Sequence, residues 1–101
     1  MNRLILETSD ARVREAGMEV RGEGPWHRHS ATTETVYCLA GTLRIARRDT
    51  PEVQQLQAGD MASIAPGVTH QLANAGHAEV RYLLIHGGGA HDFVREDAAE
   101  S

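Results

Sequence analysis

The chain contains no lysine; its ten basic residues are all arginine. That excludes a lysine Schiff base. There is one cysteine, Cys38, so no internal disulfide can form. Aromatic residues make up only 4%, which leaves Leu, Ile, Val and Ala to fill the core. No apolar run approaches the roughly 20 residues of a membrane-spanning helix. The start, Met1-Asn2-Arg3, runs straight into Leu4-Ile5-Leu6 without a cleavable signal pattern. Basic residues form no stripe, and the net charge is −4, which argues against a surface that tracks phosphates. The expectation is a soluble cytoplasmic protein with no nucleic-acid or membrane partner.

What is present suits one small all-β domain. With 101 residues, 41% of them apolar, residues 1–101 form a single domain near the small end of what buries its own core. Residues 95–101 are acidic and apolar-poor and are expected to fray. Short apolar runs recur between turn signals such as Gly22-Glu23-Gly24-Pro25, Ala40-Gly41, Ala58-Gly59-Asp60 and Pro66-Gly67. Strands are expected at 4–6, 16–21, 26–30, 34–39, 42–47, 53–56, 61–64, 69–73 and 79–86. Evenly spaced short strands imply a sandwich or barrel. In 34–39, Glu34, Val36 and Cys38 share one face; in 79–86, Val80, Tyr82, Leu84 and His86 do. The opposite faces, with Leu83 and Ile85, are apolar too. A barrel interior uses one face and a homodimer interface would use the other, together with Leu4–Leu6.

The chemistry gathers around His27, His29, Glu34 and His70. His27 and His29, two apart on a strand, point the same way with Cα atoms about 6.5 Å apart. A bend within Ser30-Ala31-Thr32-Thr33 would bring Glu34 back to face them. His70 would arrive from a distant strand, placed by Pro66-Gly67. Surface histidines are the ordinary alternative to a metal site, and the complete pattern decides between them. Val36, Cys38, Tyr82 and Leu84 are candidate pocket lining, with Cys38 more often a small buried hydrophobe. His86 is more often a strand-end residue than a fifth ligand. His77 and His91 are expected to face solvent, Trp26 to lie outside the barrel, and Asn74 to cap a turn. Gly87-Gly88-Gly89 lacks the strand–loop–helix setting of a phosphate loop.

The complete pattern resembles the cupin superfamily. Gly22, His27, His29, Glu34 and Gly41 match its first motif, with six residues between Glu34 and Gly41. Gly59, Pro66, Gly67, His70 and Asn74 match the second. Ala65 stands where the family usually has proline, and Gly22 lies one residue closer to His27 than usual; neither departure touches a ligand position. The resemblance implies a double-stranded β-helix, or jelly-roll, barrel. It implies one divalent transition metal (Fe, Mn, Ni, Co or Zn) held by His27, His29, Glu34 and His70.

Three histidines and one glutamate leave about two open positions on a six-coordinate ion, where a chelating diol, keto-enol or hydroxy acid can bind. Glu34 could also detach and act as a base. The ligand set looks like the quercetinase-like and acireductone-type branches. The expected function is a small dioxygenase acting on a chelating oxygenated small molecule. An isomerase, lyase or cyclase with a redox-inert metal, and a non-catalytic metal or metabolite binding module, are the alternatives.

Overall fold

A computed structural model describes residues 2–96. Ten strands are present: β1 (Asn2–Glu7), β2 (Ala11–Met18), β3 (His27–Arg28), β4 (Thr33–Ala40), β5 (Thr42–Arg47), β6 (Gln54–Gln57), β7 (Met61–Ile64), β8 (His70–Asn74), β9 (Val80–Gly87) and β10 (Val94–Arg95). Two five-stranded antiparallel sheets face each other, one ordered β1-β2-β9-β4-β7 and the other β10-β3-β8-β5-β6. This is the expected all-β double-stranded β-helix. Among the described residues there is no helix, hence none long and apolar enough to cross a membrane.

Alternation along each strand builds the core. Val36 and Cys38 of β4, Leu43 and Ile45 of β5 and Val80 of β9 are fully buried between the sheets. Each such aliphatic side chain contributes about 1.5–3 kcal/mol by leaving water. Ala16, Leu56, Ala62, Ile64, Leu72 and Tyr82 complete the cluster. The chain passes from one sheet to the other at Gly41, between β4 and β5. Its φ is +80°, and a Cβ there would lie 2.8 Å from the Glu79 carbonyl oxygen, so only glycine fits.

Three expectations need correction. The second strand runs Ala11–Met18, not 16–21: Val20-Arg21 turns instead, with Arg21 at φ 67°. Alternating Arg12 and Arg14 hid the strand, because those inward positions are charged. The strand expected at 26–30 is ladder-paired only over His27–Arg28. Third, Arg95 does not belong to a frayed tail. It pairs with His27 in β10, and Glu96 donates its backbone N–H to Trp26 and bonds Arg28 at 2.6 Å. The rest of the expected tail, residues 97–101, lies outside the described residues.

Trp26 does point outward, and the Arg48 guanidinium lies 4.3 Å above its ring. Asn74 caps its turn, accepting from Gly76 N–H at 2.9 Å. Its amide also donates to the Met18, Glu19 and Ala78 carbonyls. It thus ties β8 to the end of β2 and the approach to β9.

Candidate metal centre

Four strand ends and one crossover bring the polar residues together. His27 lies in β3 directly opposite His70, the first residue of β8. The chain then leaves β3 and crosses to the other sheet through the bend at 30–31, so that Glu34 enters on β4 facing back across the barrel. The predicted bend is therefore a sheet-to-sheet crossover. Gly67 N–H donates to the His29 carbonyl at 2.8 Å, fastening the turn before β8 to the histidine segment. His27, His29, Glu34 and His70 are all buried, at 7%, 4%, 1% and 1% exposure, which rules out a set of surface histidines. One ligand atom from each lies within 4.8 Å of all the others, so the group could hold a metal ion.

Hydrogen bonding decides which ring nitrogens face the centre. His27 Nδ1 lies 2.9 Å from the Pro25 carbonyl, His29 Nδ1 2.5 Å from the Asp92 carbonyl, and His70 Nδ1 2.8 Å from the Val68 carbonyl. A carbonyl only accepts, so each Nδ1 carries a proton and each neutral ring keeps a bare lone pair on Nε2. Yet His29 Nε2 and His70 Nε2 stand 2.8 and 3.1 Å from the two oxygens of Glu34. Lone pairs facing a carboxylate repel unless a cation, either a proton or a metal ion, lies between them. Two donors about 2.1 Å from one ion at a right angle are about 3 Å apart, so the observed spacing fits a shared ion.

Without an ion, protons take its place between the imidazoles and the carboxylate, and the local electrostatics follow from that. Burial, against the bond to Pro25, lowers the His27 pKa to about 4, so its ring is neutral. Burial would also lower His29, but the hydrogen bonds to Glu34 and the Asp92 carbonyl outweigh it and raise that pKa. Burial would raise Glu34; bonds from His29, His70 and His86 outweigh it and hold the carboxyl well below the usual range. The result is an ionised carboxylate among imidazoles.

His86 is the residue the sequence reading undervalued. It pairs with Glu34 across the β4–β9 ladder, is 2% exposed, and its Nε2 lies 2.8 Å from Glu34 Oε1. It positions the carboxylate. Its place on the same face as Val80 and Tyr82 was the available signal. His91 was expected in solvent but is half-buried, with its ring 4.6 Å from that of His86 and 5.2 Å from that of His29. Those three histidines form a second potential metal group. There, Arg12 Nη1 lies 2.7 and 3.3 Å from the two ring nitrogens of His91, a cationic neighbour that disfavours an ion. Phe93 stacks on His27 with ring centroids 4.3 Å apart. His77 is exposed, as expected.

A cavity of about 350 Å³ opens beside the cluster, lined by His27, His29, Glu34 and His86 and walled by Leu72, Tyr82, Leu84 and Phe93. Tyr82 and Leu84 therefore line the pocket. Val36 and Cys38 do not: they sit in the sealed core, one and two inward positions beyond Glu34. Burial raises the Cys38 thiol pKa and, together with the Glu34 charge, pushes Tyr82 up to about 12.

Fold and site together define a jelly-roll barrel with a buried histidine–carboxylate cluster at one end. The chain belongs to the cupin domain family, whose model matches residues 15–86. No curated protein matches its sequence. Among solved structures, a cupin-2 domain protein from Shewanella frigidimarina is 34% identical, with 86% of this chain and 79% of that one covered at a TM-score of 0.70. A double-stranded β-helix protein from Klebsiella pneumoniae is 24% identical, covering 96% and 84% at a TM-score of 0.83. An oxalate oxidase is 18% identical, covering 85% of this chain and 46% of that one at a TM-score of 0.75; it shows the shared fold.

Proposed function

We propose that this protein is a small metalloenzyme of the dioxygenase type, acting on an oxygenated small molecule that chelates its metal. His27, His29, Glu34 and His70 would hold one divalent ion. The observation that carries this reading is the convergence of His27, His29, Glu34 and His70, whose ligand atoms all lie within 4.8 Å of one another, beside an open cavity. An ion bound there supplies Lewis acidity to a coordinated substrate oxygen and, if it is iron or manganese, a redox couple for dioxygen.

The chain's own residues do the rest. Backbone carbonyls orient the three imidazoles, and His86 holds Glu34. The carboxylate, ionised by its surroundings, can accept a substrate proton if it leaves the ion. Leu72, Leu84 and Phe93 give the cavity apolar walls. That an oxalate oxidase shares the fold is consistent with oxidation of a small chelating molecule.

Oxygen uptake tests the reading. Protein loaded with iron or manganese should consume oxygen with catechols, flavonols or keto-enols, and His70→Ala should abolish it. Retained metal without uptake on any of these would replace the dioxygenase reading with an isomerase, lyase or binding role.

We further propose a cytoplasmic homodimer. The buried, unpaired Cys38 suits a reducing compartment. Leu4, Ile5 and Leu6 are each about half exposed on the edge strand β1, and the outer face of β9 carries Leu83 and Ile85. Sedimentation at micromolar concentration should give twice the 11.0 kDa chain mass. A monomer would refute the assignment of that face.

A further inference from the structure

Two arginines point into the cavity from β2. The register sets Arg12 opposite His86, Arg14 opposite Leu84 and Ala16 opposite Tyr82, all on the inner face. Both arginines line the same cavity as the histidine–carboxylate cluster. A barrel interior is an expensive place for two like charges unless something compensates them.

Arg12 has partners of its own, His91 at its Nη1 and an ion pair with Glu7, whose Oε2 lies 3.5 Å from its Nε, although that Nε is also buried without a hydrogen bond. Arg14 has less. Its Nη2 donates to the neutral amide oxygen of Asn2, and its Nε is buried with no hydrogen-bond partner among the described residues. Burial, and then the charge of Arg12, lowers its pKa. Glu34 is the only carboxylate among the described residues lining the cavity, set against two guanidiniums. A divalent ion would tilt that balance further toward anions. Buried unsatisfied donors of this kind call for an explanation.

We propose that Arg14, supported by Arg12, is the anion-binding arm of this pocket, and that the substrate is a chelator bearing a carboxylate. The planar guanidinium suits a carboxylate, and its present neutral partner, Asn2, is a weaker acceptor than a carboxylate. The chelating half of the statement rests on the metal reading above. The arginine half rests on Arg14's own surroundings. Leu72, Leu84 and Phe93 leave room for an apolar body between the two ends.

Catechol and 3,4-dihydroxybenzoate test the arm, since they share a chelating pair and differ by one carboxylate. Titration calorimetry on manganese-loaded protein should show 3,4-dihydroxybenzoate binding about 10–100-fold tighter, the value of one charge-assisted contact. Arg14→Gln should abolish that preference without loss of manganese, and Arg14→Lys should restore part of it. Equal affinities in the unaltered protein, or a preference that survives both Arg14→Gln and Arg12→Gln, would overturn the inference. If the protein holds no metal, the metal reading fails separately, and benzoate against benzamide probes the arginines alone by amide chemical shifts. Benzoate binding that Arg14→Gln removes would then support the anion arm; no binding at millimolar benzoate would overturn it.

Discussion

The two halves of the barrel interior are built on the same strands and made of opposite materials. Along β4 the inward residues run Glu34, Val36, Cys38; along β8, His70, Leu72, Asn74; along β9, His86, Leu84, Tyr82, Val80. At one end they are ionisable and converge on a point. Toward the other they are mostly aliphatic and fully buried. The division teaches that stability and chemistry are separable here: the apolar half holds the sheets together, so the polar half is free to keep an arrangement that needs a cation.

The strongest test of that separation is a cavity in the apolar half. Ile45→Ala should cost about 2–5 kcal/mol of unfolding free energy in urea melts. The protein that remains folded should bind metal normally. A large fall in metal affinity at full folding would show that the halves are coupled. Next comes Asn74→Ala at the far end of β8. It strands three backbone carbonyls of the chain segments around β2 and β9. A loss of about 1–3 kcal/mol is expected, again read in urea.

The mirror experiment is His86→Leu. It removes the donor that positions Glu34 while keeping an apolar volume. Metal affinity should fall about 10–100-fold, with less effect on unfolding than Ile45→Ala. Unchanged affinity would make His86 a packing residue.

Acidity acts on the polar half alone, and its sign is fixed. His27 and His91 fold with pKa lowered from 6.5 to about 4. Below pH 6.5 the unfolded chain binds more protons than the folded one, so the stability of metal-free protein should fall as pH drops from 6.5 to 4. Glu34, also depressed, adds a loss of the same sign at lower pH, whereas the raised pKa of His29 acts only above pH 6.5, where its stabilisation is lost as pH rises, and is constant across this window. Thermal melts across that range check this; a flat profile would contradict the buried, neutral state of His27.

The apolar half was legible in the sequence because its period-two pattern is clean. Val36 and Cys38, Leu43 and Ile45, and Val80 and Tyr82 all alternate against outward residues. The four-residue cluster was legible for another reason: glycine and proline spacing marks the turns that bring His27, His29, Glu34 and His70 to one end. What escaped was the lining of the polar half. Arg12 and Arg14 occupy inward positions that a hydrophobic pattern would have filled, so β2 was displaced by five residues at its start. His91 and Phe93 lie outside the strands, and their approach to His29 and His27 depends on tertiary structure alone. β10, two residues long, carries too little pattern to be seen.

Metal content after competition measures the central claim most directly. Protein equilibrated with equimolar manganese, iron, cobalt, nickel and zinc under reducing conditions, then desalted, should retain one ion per chain by elemental mass spectrometry. His70→Ala, folded by circular dichroism, should retain none. No retained ion in the unaltered protein, or equal retention in folded His70→Ala, would contradict the account.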